Sequence, residues 1–189
     1  MPDTDRLLLV AARDLVEALE EMGLAPTIIG GVAISLMTQS RHTDDVDVMI
    51  LYDPEKASEL IETLGIRGFQ PRFQGMVELA REARMVTMRH VATNSVVDIA
   101  LGCMPFEEEV QARAQVHQAG GVELRLPTPE DMVIFKAIAS RPKDLEDIRK
   151  LALTYPNMDR KRIEHWVLEY GELMDSPDLW ERTKALLGI

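Results

Sequence analysis

Two aspartates separated by one residue form the strongest chemical signal in this sequence. Asp45 and Asp47 lie in the segment Arg-His-Thr-Asp-Asp-Val-Asp-Val-Met-Ile, residues 41–50. On a β-strand, residues two apart share a face, so both carboxylates point the same way while Val46 and Val48 point into a core. Adjacent carboxylates repel unless one is protonated or a cation lies between them, and oxygen ligands suit Mg²⁺ or Mn²⁺. The pair predicts a divalent metal site, with a solvated acidic strand end as the alternative.

A glycine pair precedes this strand by one short helix. Gly30 and Gly31 follow an apolar strand and open the helix, where backbone N–H groups can approach an anion at the helix N-terminus. Arg41 and Thr43 lie between the glycines and the aspartates, so their side chains can contact phosphate oxygens. A glycine pair alone is more often a tight turn. Followed at this spacing by the aspartate pair, it predicts a phosphate-binding turn beside the metal site.

A third carboxylate stands alone in a later apolar strand. Asp98 is the charged residue of Ser-Val-Val-Asp-Ile-Ala-Leu, residues 95–101. A buried carboxylate is costly unless it finds a cation, a basic partner or a proton. Beside Asp45 and Asp47 it would complete a triad able to hold two divalent ions, or it would take a proton from an acceptor. The alternative is a strand-end aspartate paired with an arginine such as Arg89.

The elements that must position these residues form an α+β pattern. A mixed β-sheet flanked by helices is expected over residues 1–126, followed by a helical subdomain over residues 127–189. At the boundary, Thr128 is a good N-cap, Pro129 suits the first helical position and Asp131 falls where a capping-box acid belongs. Strands are predicted at about 27–29, 45–51, 85–91, 95–101 and 122–126. Helices are predicted at about 4–22, 32–39, 54–64, 105–113, 129–139, 143–154, 159–173 and 178–187, and 66–80 is ambiguous.

Two cationic elements lie in the expected helical subdomain. Lys136 is the only charge in the apolar segment 132–139, so it must reach solvent or pair with an anion such as a nucleotide phosphate. The segment Arg-Pro-Lys-Asp, residues 141–144, opens the next helix. The alternative role of the acidic residues near the start of this helix, Asp144, Glu146 and Asp147, is to complement the helix dipole.

Together these residues resemble the polymerase-β type of nucleotidyltransferase superfold, marked by a glycine turn, a helix, an Asp-x-Asp strand and a later single aspartate. The AbiEii/MenT-like group, which includes toxins of toxin–antitoxin pairs, is similar in more detail. Gly-Gly-Val-Ala at 30–33 and Arg-His-Thr-Asp-Asp-Val-Asp at 41–47 look like that group's motifs. Lys136 and segment 141–144 strengthen the resemblance, which covers about residues 27–153.

The resemblance implies an enzyme that moves a nucleoside monophosphate from a nucleoside triphosphate to an acceptor and releases pyrophosphate. Asp45, Asp47 and Asp98 would bind Mg²⁺ or Mn²⁺, and with Lys136 they form the expected catalytic set. Asp98 would bind a second ion or activate the acceptor hydroxyl.

The resemblance also implies a nucleotide-binding set around these carboxylates. Gly30, Gly31 and Thr43 would hold the β- and γ-phosphates, while Arg41 and Lys136 would add positive charge. Asp144 would orient Lys136 or the neighbouring Lys143. Arg141 or Lys143 would then contact the triphosphate or the acceptor.

Charge bears on the acceptor. The 189-residue chain has 32 acidic and 21 basic residues and a net charge of −11, which argues against a generic nucleic-acid binder. This charge mildly favours a cationic small acceptor, as in antibiotic-modifying relatives, whereas the toxin-like motifs favour tRNA or a protein and could imply a cognate antitoxin. A non-catalytic module that binds nucleotide or a partner protein is the alternative of a different class.

Composition also indicates the compartment. No apolar run approaches the roughly 20 residues of a membrane helix, so no membrane partner is expected. The N-terminus indicates an amphipathic helix, not a signal peptide, and the single cysteine, Cys103, excludes a disulfide framework within the chain. Cytoplasm is the expected location.

Overall fold

A computed structural model of the chain describes residues 3–39 and 43–188. The helices of the first two thirds are α1 (Asp3–Glu21), α2 (Gly30–Thr38), α3 (Ala57–Ile66, after a 3-10 turn at Pro54–Lys56), α4 (Met76–Ala83) and α5 (Pro105–Arg113). The strands are β1 (Thr27–Ile29), β2 (Asp45–Leu51), β3 (Phe69–Pro71), β4 (Met85–His90), β5 (Val96–Gly102), β6 (Gln115–Ala119) and β7 (Val122–Leu126). The remaining helices are α6 (Pro129–Ala139), α7 (Pro142–Thr154), α8 (Arg160–Leu173) and α9 (Leu179–Leu187).

Five strands form one mixed sheet in the order β1-β2-β5-β4-β3. β2 and β5 are parallel, and the other neighbouring pairs in this sheet are antiparallel. β6 and β7 form a separate antiparallel hairpin. The predicted α+β class with a mixed sheet and flanking helices is confirmed.

One face of the sheet packs against the hydrophobic core. Val46 and Val48 of β2 and Val97 and Ile99 of β5 are fully buried, as their period-two spacing predicts. The amphipathic helix α1 contacts β2 and β7, and its apolar side includes the fully buried Leu15. The aspartates of β2 and β5 alternate with these core residues, so they lie on the opposite face.

The sequence missed one strand and left one segment unassigned. β6, Gln-Val-His-Gln-Ala, is mostly polar and exposed, so it has neither apolar alternation nor a turn signal on both sides. It pairs with β7 through Gly120 and Gly121, which adopt φ values of 60° and 83°. The ambiguous segment 66–80 contains β3 and most of α4.

A buried ion cluster joins the C-terminal helices. The Thr128 side chain caps α6 by accepting a bond from the Asp131 N–H, as predicted. The Asp131 carboxylate is not the expected reciprocal cap, because it is fully buried and pairs with Arg162 Nε at 2.7 Å and Arg113 Nε at 3.4 Å. It thereby ties α6 to α8 and to the end of α5. A division into two units at residue 126 stays a prediction.

Removing the carboxylate of Asp131 is expected to destabilise the protein strongly. Asp131→Ala leaves Arg162 largely buried without its partner, which typically costs about 3–5 kcal/mol. The measurement is the free energy of unfolding in urea. The control is Asp178→Ala, which breaks an exposed pair with Arg182 and is expected to cost at most about 1 kcal/mol. Equal effects of the two variants would contradict a stabilising role for the buried cluster.

Candidate metal and nucleotide site

The three predicted acidic residues converge on the open face of the sheet. The parallel pairing of β2 with β5 places Asp47 directly opposite Asp98, and Asp45 precedes Asp47 by one alternation on the same face. One carboxylate oxygen from each residue lies within 4.8 Å of the others. Three oxygen ligands this close are the donor set that Mg²⁺ and Mn²⁺ prefer.

The electrostatics of this triad favour an added cation. Burial, followed by the charge of Asp45 and a smaller contribution from Asp98, raises the pKa of Asp47 to about 6. A bond from the Gly31 N–H and the charge of Lys136 oppose this rise. Among the described residues, Asp98 Oδ1 is buried and has no hydrogen-bond partner. Such an orphaned oxygen fits a metal ligand.

The alternative partner for Asp98 is otherwise engaged. Arg89 Nη1 donates to the main-chain oxygen of Asn94 at 3.0 Å and to its side-chain oxygen at 2.9 Å. The described ion pairs include none between Arg89 and Asp98. No described ion pair therefore supports the alternative in which Arg89 neutralises Asp98.

The glycine turn lies against the triad. The Gly31 N–H donates to Asp47 Oδ2 at 3.3 Å. Gly30 has a φ of +62°, and a Cβ placed on it would lie 1.9 Å from the same oxygen. Only glycine satisfies both the left-handed backbone and this close approach. The turn therefore fits tightly around a carboxylate as well as opening α2.

Thr43 and Arg41 flank the strand start. Thr43 Oγ1 donates to Asp45 Oδ1 at 2.8 Å, which orients that carboxylate. Its predicted contact with phosphate stays a prediction. Arg41 lies outside the described residues.

Lys136 is buried and doubly paired, not extended to solvent. Its Nζ lies 3.0 Å from Asp144 Oδ1 and 3.0 Å from Asp147 Oδ2, and all three side chains are at least 95 % buried. The sequence predicts only a helix-dipole role for Asp147 and not its pairing with Lys136. Its i,i+3 spacing from Asp144 on α7 was the available signal, since such residues share a helix face.

Arg141 completes this charged cluster. Its Nε donates to Asp144 Oδ2 at 2.6 Å. Burial alone would raise the pKa of Asp144, but hydrogen bonds from Arg141 and Lys136 outweigh it and hold this pKa below its ordinary value. Asp144 is therefore ionised at neutral pH and holds both cations in place.

A cleft joins the triad to the cationic cluster. Its volume is about 240 Å³. The residues that line it are Ile29, Gly30, Gly31, Asp45, Asp47, Asp98, Phe135, Lys136, Ala139, Arg141, Lys143 and Asp144. Among the described residues, the cleft therefore contains every site residue predicted from the sequence except Thr43, with the triad on one wall and the cations on the other.

A mixed five-stranded sheet with an Asp-x-Asp strand parallel to a single-aspartate strand defines a nucleotidyltransferase fold. Residues 9–186 match the family described as "Nucleotidyltransferase of unknown function" (DUF6036), and the chain belongs to that family. No curated protein matches the sequence.

Solved structures share this fold at low sequence identity. An antigenic nucleotidyltransferase-like protein from Paracoccidioides brasiliensis has 18% identity and a TM-score of 0.58, with 96% of this chain and 94% of that chain covered. ANT(2″)-Ia in complex with adenylyl-2″-tobramycin has 17% identity and a TM-score of 0.56, with 90% and 99% covered. The lincomycin-bound lincosamide adenylyltransferase LnuA has 15% identity and a TM-score of 0.51, with 72% and 91% covered.

Within residues 3–39 and 43–188, no helix is both long enough and apolar enough to cross a bilayer.

Adding one methyl group at Gly30 is expected to disrupt the site. In Gly30→Ala, the Cβ would collide with Asp47 Oδ2, and the backbone would also be strained at φ +62°. We expect a loss of stability above about 2 kcal/mol and loss of Mg²⁺ binding. The measurements are urea unfolding and the Mg²⁺-dependent shift of the melting temperature.

The control for this prediction is Gly23→Ala. Gly23 has a similar φ of +77° but no atom within 4 Å of the added Cβ, so it reports the backbone strain alone. Suppose that both alanine variants lose the same free energy of unfolding and both show the Mg²⁺-dependent shift in melting temperature. The close packing of Gly30 on Asp47 is then not needed for metal binding.

Removing the charge of Asp47 is expected to stabilise the metal-free protein. Because folding raises the pKa of Asp47 from 3.8 to about 6, ionisation costs folding stability as pH rises through this interval. Asp47→Asn should therefore be more stable than wild type at pH 8, by about 1–2 kcal/mol after allowing for partial exposure. The gain should vanish below pH 3.8, where the carboxyl is protonated in both states.

Urea unfolding without divalent ions, at both pH extremes, measures this effect. The exposed neighbour Asp44 provides the control variant Asp44→Asn, which should show no such gain. Mg²⁺ should then stabilise wild type and Asp44→Asn but not Asp47→Asn. A less stable Asp47→Asn protein at pH 8 would show that the triad is not held together against repulsion.

Proposed function

We propose that this protein is a metal-dependent nucleotidyltransferase that moves a nucleoside monophosphate from a nucleoside triphosphate to an acceptor hydroxyl. The observation that carries the proposal is the triad of Asp45, Asp47 and Asp98, which lies in one cleft with Gly30-Gly31 and with the buried Lys136. In the transfer, the acceptor oxygen forms a bond to the α-phosphorus. The bond from that phosphorus to the bridging oxygen breaks, and pyrophosphate leaves.

The triad would hold Mg²⁺ or Mn²⁺. The donor set fits, because one carboxylate oxygen from each residue lies close to the others and Asp98 has a buried oxygen without a partner among the described residues. When bound, the cation would neutralise charge on the triphosphate and on the transferring phosphoryl group. Thr43 and the Gly31 N–H orient two of the ligands, Asp45 and Asp47.

The opposite wall of the cleft would bind the triphosphate. An ammonium carries three N–H donors, and Asp144 and Asp147 account for two of them at Lys136. One donor therefore remains for a phosphate oxygen while the two carboxylates keep the ammonium in a fixed place. Arg141 and Lys143 line the same wall. The N-terminus of α2 completes the proposed donor site, and Arg41, outside the described residues, is proposed to add positive charge.

Asp98 is the proposed acceptor-side residue. It belongs to β5, on the far side of Asp45 and Asp47 from the glycine turn. There its carboxylate would take the proton that the acceptor hydroxyl loses, or it would serve as a ligand for a second ion. Lys136 would act only electrostatically and by hydrogen bonding.

Two acceptor classes are compatible with this chemistry. The first is tRNA or a protein, which the likeness to the toxin group supports, together with a cytoplasmic location and a cognate antitoxin. The second is a cationic small molecule. Similar structures hold adenylyl-2″-tobramycin and lincomycin, and the net charge of this chain is −11. A non-catalytic module is disfavoured because all three carboxylates are present and clustered.

Removal of the charge of Asp45 or of Asp98 is expected to reduce transfer strongly. Asp45→Asn and Asp98→Asn should reduce the rate at least about 10²–10³-fold, because each removes charge that stabilises the transition state. The measurement is incorporation of label from each α-labelled NTP with Mg²⁺, offered total tRNA, total protein or an aminosugar. Asp44→Asn is the matched control and should retain activity.

Full activity of Asp45→Asn or Asp98→Asn in this assay would overturn the proposed metal role. Mg²⁺-dependent NTP binding without any labelled product would favour a nucleotide-binding module. Absence of that binding would favour a partner-binding module of the same fold.

A further inference from the structure

The face of the sheet that carries the triad continues beyond it and is partly open. On β5, Val97 and Ile99 are fully buried, whereas Val96, Asp98 and Ala100 on the other face are only partly buried. The cleft that joins the triad to Lys136 is lined by residues of β1, β2, β5, α2 and the α6–α7 region. Among the described residues, none of its lining comes from β3 or β4. The proposed donor site thus lies on one side of the triad, and the open face extends on the other.

Strand register places polar residues on this face. Asp45 is opposite Val96, Val96 is opposite Arg89, and Arg89 is opposite Gln70. Directly opposed residues share a face, and neighbouring strands are about 4.8 Å apart, so Arg89 lies about 10 Å from Asp45 along the row. Pairing continues to Arg72, whose N–H donates to the Thr87 carbonyl at 3.2 Å. Thr87 is itself opposite Asp98.

Of the fourteen arginines that the structure describes, seven have a carboxylate partner among the described residues, and the two on this face do not. Within the described residues, neither Arg72 nor Arg89 has a carboxylate oxygen within 4.0 Å, although the protein is strongly acidic. The described arginines that do have one are Arg13, Arg67, Arg81, Arg113, Arg141, Arg162 and Arg182. The two bonds to Asn94 hold the Arg89 guanidinium at the β4–β5 turn and use at most two of its five N–H groups.

The chemistry of the face discriminates between the two acceptor classes. Its strand residues present arginine and amide donors and, in the described part of the chain, no carboxylate besides the triad. A polycationic small molecule needs several carboxylates in a concave pocket. The cavity next to β3 has a volume of about 510 Å³ and is mostly apolar, and the described residues that line it include Ile61, Phe73 and Met76 but one carboxylate, Glu78. Arginine forks and amides match phosphate and sugar oxygens.

We propose that Gln70, Arg72, Arg89 and Asn94 form the acceptor site and bind phosphates of a nucleic-acid strand whose terminal ribose hydroxyl lies at Asp98. This inference rests on the proposed nucleotidyl transfer and names its acceptor class. The acidic remainder of the protein limits the affinity, because repulsion acts beyond the local arginines. The association is therefore weak and strongly dependent on salt.

Association with a short fluorescent single-stranded RNA that has a free 3′ hydroxyl tests this site. Anisotropy is measured without NTP, between about 50 and 200 mM salt. Arg89→Glu should weaken the affinity at low salt about tenfold or more and reduce the salt slope by about 1. Arg89→Lys, which keeps the charge, should lose less. Arg72→Glu should act in the same direction.

The matched control is Arg182→Glu on α9, which removes an exposed arginine remote in sequence and should leave the RNA affinity unchanged. Each variant is also checked for the Mg²⁺–NTP shift in melting temperature, which reports the donor side and should stay at the wild-type value. This second readout separates the two hypotheses. Absence of the Mg²⁺–NTP shift in wild type would contradict the proposed function, whereas an intact shift without RNA association would contradict the acceptor site alone.

Three results would overturn the acceptor site. The first is that wild type does not associate with the RNA even at low salt. The second is equal RNA affinity for wild type and Arg89→Glu while the donor-side shift is intact. The third is that label from NTP enters protein or a cationic aminosugar in preference to RNA.

Discussion

Repulsion among three carboxylates held within 4.8 Å is the constraint on which this site depends. The sheet register makes the repulsion unavoidable, because Asp47 and Asp98 are direct neighbours across a parallel pair. Burial and charge together move the pKa of Asp47 to about 6. Three neighbouring residues reduce the cost of this repulsion. Gly30 leaves room for the Asp47 carboxylate, and the Gly31 N–H and Thr43 each donate one hydrogen bond to the triad.

The other buried aspartates of the described residues form ion pairs with basic side chains of the same chain, unlike those of the triad. Lys136 and Arg141 together offset Asp144 and Asp147, while Arg162 and Arg113 offset Asp131. The triad alone lacks an equivalent counterion among the described residues. An uncompensated cluster in a protein that elsewhere compensates its buried acids indicates where an external cation belongs. Such local destabilisation is common at functional sites.

Local patterns predicted most of the site, and long-range contacts account for what they missed. Alternation of apolar and acidic residues determined the face of Asp45, Asp47 and Asp98, because a strand has a period of two. The pairing of Lys136 with Asp147 was not predictable, since it depends on how α6 packs on α7. The strand β6 was missed because its polar residues are ordered by a hairpin and not by burial. The bond from Gly31 to Asp47 likewise depends on the pairing of β1 with β2.

The parallel pairing of β2 with β5 also governs the order in which the molecule can assemble. Parallel neighbours require a long crossover, and here it spans residues 52–95, including α3, β3, α4 and β4. Contacts between segments so distant in sequence form slowly, because chain entropy is lost before the contact is gained. On a ribosome, the segment with Asp45 and Asp47 emerges well before Asp98, and Lys136 follows later still. A nascent or truncated chain therefore carries an incomplete set of ligands, and the full triad exists only once the crossover has folded.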